Sequence, residues 1–257
     1  MKNFLWIVNN RCMVIGVLIG LSMSTSGSMT PRQQEFLALY NDIELRSFCG
    51  NSPGTSGDGL KVMYGVDDRQ MGLMLAEQVA NCLHMTVPRA ESTNMICSVS
   101  LRKLSKFKVP EALPVAQAAF LDSSDMFRSE SVRAFFACVS NVSDVVSFAS
   151  NVWADVSMHA TSRRLDCVIG LKRWIPTRTD LTDMDKQALY ADLTERAQAE
   201  SSFPVAMRMD QVLKTLSADY LVSSVRTNVV LRFKDSISAP NDPQYFRRQA
   251  EEMGILR

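Results

Sequence analysis

The amino-acid sequence predicts an all-α fold, with a helical-bundle core and a flexible arm at each end of the chain. Apolar residues recur every three or four positions over most of the chain, which is the period of an amphipathic helix. Helix-capping residues stand at the beginnings of several of these segments. We expect a core domain over residues 30–220, an apolar N-terminal arm over residues 1–29 and a C-terminal tail over residues 221–257.

The composition is that of a globular protein with a sizeable core. Of 257 residues, 46% are hydrophobic and 21% are charged. The 28 Lys and Arg residues nearly balance the 27 Asp and Glu residues, which gives a net charge of +1. This balance excludes a polybasic nucleic-acid binder of the histone type, but it allows a local basic groove.

Residues 1–28 differ from the rest of the chain, because a short apolar run over residues 13–23 follows two basic residues and precedes small ones. That order is typical of a signal peptide. The run is too short for a comfortable membrane span. Two other interpretations stay open: a mobile arm, or an upstream extension of a chain that starts at Met29.

The six cysteines are widely spaced, and no CxxC or other metal-ligand spacing occurs. Five of them lie beyond residue 28, and an odd number does not suit a disulfide framework. We therefore expect no metal site, and free thiols in a reducing compartment. The six are Cys12, Cys49, Cys82, Cys97, Cys138 and Cys167.

The first helix is predicted over residues 31–48, because Thr30 fits an N-cap and Gln33 completes a capping box. A loop rich in Gly, Ser and Pro follows over residues 49–59. The apolar spacing then predicts a second helix over residues 67–84.

The middle of the chain begins with an irregular polar turn, MTVPRAEST, at residues 85–93. The segment MICSVS at residues 95–100 is short and β-branched, which predicts a strand. It leads into the basic stretch LRKLSKFK at residues 101–108. A further helix is predicted over residues 111–121.

The second half of the chain is predicted to be helical. A long helix with a wide apolar stripe begins at the N-cap candidate Ser129. The segment SRRLDCVIGL predicts a helix or helix end that closes near Gly170. A capped helix follows, with Asp180 or Thr182 as its N-cap, and another helix starts at Phe203.

The sequence offers little for catalysis. Only two histidines are present, His84 and His159, so a zinc site or a Ser-His-Asp triad has few residues to draw on. No glycine-rich loop with a phosphate-binding lysine occurs. We expect no cofactor and a protein that is not an enzyme; a cysteine-dependent enzyme is the distant alternative.

One arginine and one aspartate stand out, because each interrupts an apolar helical run. Arg133 lies between Val132 and Ala134, and Asp166 follows Leu165 in a second run. A charge beside a core is costly unless it has a partner of opposite sign. We predict a structural salt bridge between Arg133 and Asp166; the alternative is that each reaches solvent from a helix edge.

Several segments resemble, in order and in kind, the C-terminal half of coat proteins of the closterovirus family, the long flexuous filamentous plant viruses. The similar segments are SVRAFFACVSNVSD, RRLDCVIG, TDLTDMDKQALYADLTERAQAESSF and MDQVLKTL, preceded by GLMLAEQVANCLHMTVPRAEST. The resemblance spans residues 70–216, and it leaves out the apolar stretch 1–28, which is unlike the polar arms of such coats.

The resemblance implies a viral capsid protein that coats genomic single-stranded RNA as a helical filament, in the virion and in the host cytoplasm. The implied partners are RNA, further copies of the chain and, as an open alternative, a second minor coat protein. In such coats an Arg and an upstream Ser or Thr line the RNA groove, and an Asp holds the Arg. By position these are Arg133, Ser92 or Thr93, with Thr86 as a weaker alternate, and Asp166.

The basic stretch supplies further candidates for RNA contact by charge alone, namely Arg102, Lys103, Lys106 and Lys108. A merely solvated face explains these four cations equally well. The runner-up function is an exported α-helical protein of unknown role, which residues 1–28 would deliver as a signal peptide.

Overall fold

A computed structural model describes residues 29–48, 56–85 and 89–216. All regular secondary structure in these ranges is helical, which confirms the all-α fold there. The predicted arms lie outside the described residues, apart from Met29. Within the three ranges, no helix combines the length and the apolar character that crossing a membrane requires.

The helices group into two compact units that divide between Ser140 and Asn141. The core domain over residues 30–220 stays a prediction. Within the first unit, α4 packs against α3 and α6, and α1 contacts α2 and α4. Its described helices are α1 (Pro31–Phe48), α2 (Gly57–Tyr64), α3 (Asp68–His84), α4 (Glu91–Phe107), α5 (Leu113–Phe120) and α6 (Arg128–Cys138).

The second unit is built around contacts of α8 with α7 and α10, while α9 packs against α7 and α10. Its described helices are α7 (Val142–Ala154), α8 (Ala160–Trp174), α9 (Asp183–Ala199) and α10 (Phe203–Leu216). Each unit has its own buried side chains. Fully buried examples are Phe36, Met71, Leu101, Phe120 and Phe135 in the first unit, and Phe148, Val168, Val205, Met209 and Leu213 in the second.

Three helix starts follow from local capping chemistry. The Thr30 backbone N–H donates to Gln33 Oε1 at 2.9 Å, which confirms the predicted capping box of α1. Asp67 and Gln70 form a capping box at α3. Thr182, one of the two predicted candidates, forms another with Asp185 at α9. Each box satisfies backbone donors that would otherwise lack partners in the first turn.

The predicted strand at residues 95–100 is wrong, because this segment lies inside α4. The buried residues Cys97, Leu101 and Leu104 follow the three- to four-residue spacing of a helix. Packing of this face against α3 and α6 outweighs the weak β preference of Ile96 and Val99.

The predicted loop over residues 49–59 is wrong at its end, since α2 begins at Gly57. Ser56 caps this helix by accepting a hydrogen bond from the Gly59 N–H at 3.1 Å. Residues 49–55, including Cys49, lie outside the described residues. The sequence pattern did not predict this helix, because glycines, which have a low helix propensity, dominate the first turn of α2.

The long helix predicted from Ser129 is two helices, α6 and α7, with a break over residues 139–141. Ser129 is not the N-cap, because α6 already begins at Arg128. Asn141 restarts the chain as the N-cap of α7, since its Oδ1 accepts from the Asp144 N–H at 2.8 Å. The segment around Gly170 does not close a helix, since α8 continues to the buried Trp174.

A glycine allows the end of α4 to approach α3. A Cβ at Gly72 would lie 2.1 Å from the Val109 side chain, which is far inside van der Waals contact. Val109 follows Lys108, whose φ of 54° ends α4 in the left-handed region. The close approach therefore fixes where the basic end of α4 meets the body of the first unit.

Candidate nucleic-acid interface

The predicted RNA-binding residues all belong to the first unit. Ser92, Thr93, Arg102, Lys103 and Lys106 lie on α4, Lys108 is its C-cap, and Arg133 lies on α6. Because an α-helix turns once in about 3.6 residues, the side chains at positions 92, 103 and 106 share one face of α4. Those at positions 92 and 106 are about 21 Å apart along its axis.

Two of the α4 cations already have carboxylate partners in the same unit. Lys103 Nζ lies 2.6 Å from Glu44 Oε2 of α1, and both side chains are largely buried. Lys106 Nζ lies 3.5 Å from Asp58 Oδ1 of α2, and both of these side chains are exposed. The basic stretch is therefore less available to an external phosphate than its sequence indicates.

Among the remaining predicted contacts, Ser92, Arg102 and Lys108 are exposed. Thr93 is half-buried, and its carbonyl lies 4.0 Å from Cys82 Sγ. Thr86 falls in the gap at residues 86–88, outside the described residues.

Arg133 is exposed, although its neighbours Val132, Ala134 and Phe135 are buried. Among the residues that the structure describes, its guanidinium makes no ion pair or hydrogen bond. Arg133 therefore lies at the exposed edge of a buried helix face. Its partner in the predicted salt bridge, Asp166, is half-buried on α8 of the second unit. The salt bridge between Arg133 and Asp166 stays a prediction.

The arginines with buried side chains are different from Arg133, and the sequence pattern did not single them out. Arg89, whose side chain is 2% exposed, forms a bidentate pair with Asp122, from Nη2 to Oδ1 at 2.8 Å and from Nη1 to Oδ2 at 3.2 Å. Its Nε also donates to the Cys82 carbonyl at 2.7 Å, and Nη2 donates to the Leu83 carbonyl at 3.2 Å. Arg89 thus satisfies the carbonyls at the end of α3, where a cation is favoured.

The second unit contains two comparable pairs. Arg163 Nη1 donates to Asp155 Oδ2 at 2.7 Å, and the two side chains are 4% and 5% exposed. Arg164 Nε lies 2.9 Å from Glu200 Oε2, whose side chain is 1% exposed. The charge of each of these arginines is therefore already paired with a carboxylate inside the unit.

A short sequence pattern marks the carboxylate partners of these three arginines, namely an acidic residue followed two positions later by serine. The Ser124 N–H donates to Asp122 at 3.0 Å, the Ser157 N–H to Asp155 at 2.9 Å and the Ser202 N–H to Glu200 at 2.8 Å. Asp-x-Ser or Glu-x-Ser occurs only at these three places in the sequence. This pattern is the signal in the sequence that could have identified the three carboxylates, since such turns hold a carboxylate in place through local hydrogen bonds.

The hydrogen bonds of these turns also affect the pKa values of Asp122 and Asp155. Burial alone raises the pKa of Asp122, but hydrogen bonds from Arg89 and Ser124 outweigh it, so the pKa lies below its usual value. Burial likewise raises the pKa of Asp155, and the bonds from Ser157 and Arg163 reverse the effect. Both carboxylates are therefore stabilised in their charged form.

The described cysteines Cys82, Cys97, Cys138 and Cys167 are all buried free thiols. The expectation that the cysteines are reduced stays a prediction, and Cys49 lies outside the described residues. No group of three or more His, Cys, Asp or Glu side chains suited to a metal ion occurs within the described ranges.

Comparison with protein-family models, with curated proteins and with solved structures finds nothing that matches this chain. The similarity to closterovirus coat proteins therefore rests on the sequence segments given above.

Proposed function

We propose that this chain is a viral coat protein that assembles helically around genomic single-stranded RNA, as its resemblance to closterovirus coat proteins implies. On this proposal its partners are RNA, further copies of the chain and a minor coat protein. Its locations are the virion and the host cytoplasm. The role is structural, not enzymatic, and needs no cofactor.

The observation that carries the proposal is the state of Arg133. Arg89, Arg163 and Arg164 already have buried carboxylate partners, whereas Arg133 is exposed and lacks a partner among the described residues. A guanidinium in that state can form a bidentate, charge-assisted contact with phosphate without breaking an internal pair. It lies on α6, which packs against the helix that carries the other predicted RNA contacts.

The α4 cations would add to this contact to different degrees. Lys106 and Asp58 are exposed and 3.5 Å apart, so their pairing is weak and a phosphate can replace it. Lys103 is held more firmly by Glu44. We therefore expect Arg133 and Lys106 to contribute more to RNA binding than Lys103.

The test is retention of single-stranded RNA on filters over a range of salt concentrations. Arg133→Gln should weaken binding to every RNA sequence and reduce the salt slope by about 0.7 per lost phosphate contact. The matched control is Arg69→Gln, which removes the same charge from an exposed arginine of α3 that already pairs with Glu111. Circular dichroism should show the same helicity for both variants.

Two outcomes would contradict the proposal. One is that the folded wild-type chain shows no salt-dependent binding to single-stranded RNA. The other is that Arg133→Gln and Arg69→Gln reduce binding equally, which would indicate a general charge effect. Electron microscopy of the chain with RNA should show filaments, which tests self-association separately.

The second candidate function is an exported α-helical protein, favoured by the signal-like order of residues 1–28. That segment lies outside the described residues. N-terminal sequencing of native material separates the two candidates. A mature start near Met29 together with oxidised cysteines favours export, and free thiols with co-purifying RNA favour the coat.

A further inference from the structure

Two cations of the second unit converge on one neutral oxygen atom. Lys172 Nζ of α8 donates to Gln211 Oε1 at 2.7 Å, and Arg208 Nη1 of α10 donates to the same atom at 2.9 Å. The helices α8 and α10 pack against each other, so the fold of the unit brings the two cations together. An amide oxygen carries only a partial negative charge, so it orients the cations without neutralising them.

The charges around this point favour an anion. Lys172 is exposed and forms no ion pair with another described residue, and Arg173 beside it is also exposed. On α10 the neighbouring acid, Asp210, has a side chain that is 1% exposed and lies 3.0 Å from Lys214 Nζ. On α8 the nearest acid in sequence, Asp166, is about 9 Å away along the helix axis. Two like charges held close together repel each other, and an anion between them relieves the repulsion.

The donors at this point suit a phosphate group. The Lys172 ammonium and the Arg208 guanidinium each carry further N–H groups besides the one that binds Gln211. The Gln211 amide, whose Oε1 accepts from both cations, adds two N–H donors at Nε2. A phosphate group has more acceptor oxygens than a carboxylate, so it can bind all three side chains at once through charge-assisted hydrogen bonds.

We propose that Lys172, Arg208 and Gln211 form a binding site for a phosphate group in the second unit, and that a backbone phosphate of single-stranded RNA is its ligand. The choice of RNA rests on the proposed coat function, whereas the site itself does not. The RNA contacts predicted from the sequence all belong to the first unit. The second unit therefore adds a phosphate contact of its own.

The experiment measures how fast Lys172 of the folded full-length chain is acetylated by an N-hydroxysuccinimide ester, with mass spectrometry of the peptides. The probes are inorganic pyrophosphate and a single-stranded oligouridine, each compared with sodium chloride at the same ionic strength. At about ten times its half-saturating concentration, either probe should slow the acetylation of Lys172 by about tenfold, because few sites are then free. The internal control is Lys186 of α9, an exposed lysine 3.6 Å from Asp183, which should react at an unchanged rate.

Two variants test the geometry of the site. Lys172→Gln should reduce the salt slope of RNA retention on filters by about 0.7, the value for one lost phosphate contact, whereas Lys186→Gln removes the same charge and should leave the slope unchanged. Gln211→Leu keeps both cations but removes the oxygen that holds them together. Pyrophosphate should therefore protect Lys172 less in this variant, which a general attraction to positive charge does not predict.

The site is overturned if neither probe slows Lys172 more than Lys186. Protection by the oligouridine supports both the site and its ligand. Protection by pyrophosphate alone supports the site and overturns RNA as its ligand; if the chain still binds RNA on filters, the coat function stands. If the chain binds no RNA at all, the coat function is contradicted, and the pyrophosphate result still decides the site. These outcomes need only the wild-type chain, so a variant that fails to fold does not affect the conclusion.

Discussion

One local device, a carboxylate fixed by an acid-x-Ser turn and paired with an arginine, occurs in both units and acts over very different chain distances. In the first unit, the clamp of Arg89 and Asp122 joins residues 33 positions apart, with two hydrogen bonds between the side chains. In the second unit, the clamp of Arg163 and Asp155 joins residues 8 positions apart across one loop, whereas Arg164 and Glu200 lie 36 positions apart.

The difference shows that one local turn can serve either a tertiary contact or a local one. The first-unit clamp ties the end of α3 to the connection between α5 and α6, so its loss affects the packing of several helices. The clamp of Arg163 and Asp155 organises only the connection between α7 and α8. We expect the free energy of unfolding to depend more on the first clamp than on the second.

The largest expected effect is that of Arg89→Met. The substitution leaves Asp122 buried without its cation and removes the donors to the last carbonyls of α3, so it should lower the free energy of unfolding by about 3–5 kcal/mol. Urea unfolding followed by far-ultraviolet circular dichroism measures the change. The double variant Arg89→Met with Asp122→Leu should recover much of the lost stability, because no buried charge is then left unpaired.

The matched comparison is Arg163→Met, which should cost about 1.5–3 kcal/mol, since the charged hydrogen bond to Asp155 is lost while Asp155 keeps both bonds from Ser157. Trp153 and Trp174 lie in the second unit, so in a Trp6→Phe background tryptophan fluorescence follows that unit. A larger loss for Arg163→Met than for Arg89→Met would refute the expected order of the two clamps.

A smaller effect is expected on acidification. Asp122 and Asp155 have a lower pKa in the folded protein than the ordinary value of 3.8, so their contribution to stability is complete above that value. It is lost as the pH falls through the folded pKa values, because the unfolded chain then binds more protons. Urea unfolding between pH 6 and about pH 3 should show this decline.

The control for acidification is the pair of variants Asp122→Asn and Asp155→Asn, measured separately. Each should flatten the decline below that of the wild type, since one carboxyl that titrates differently in the two states is gone. An unchanged pH profile in both variants would mean that the clamps do not account for the acid sensitivity.

The smallest expected effect on stability is that of Arg133→Ala. Because Arg133 is exposed, its removal should change the free energy of unfolding by no more than about 0.5 kcal/mol. The measurement is the same urea titration used for Arg89→Met. A loss comparable to that of Arg89→Met would show that Arg133 has a buried partner, and Asp166 would then be the first to test by double substitution.

The sequence by itself determined the all-α class and most of the helices. The bounds of α1, α3, α9 and α10 agree closely with the predicted segments, because capping boxes and apolar spacing act over three or four residues and are written in the local sequence. The strand error at residues 95–100 and the missed break over residues 139–141 came from segments in which tertiary packing overrides a weak local preference.

Only the tertiary structure decided which charges are buried. Arg133 looked buried because its neighbours in sequence are apolar, yet a helix has an exposed edge that sequence neighbours do not reveal. Arg89 and Arg163 gave no such signal, and their burial follows from carboxylates brought close by the fold. Local interactions fix where helices begin and end, whereas the environment of a side chain depends on residues distant in the chain.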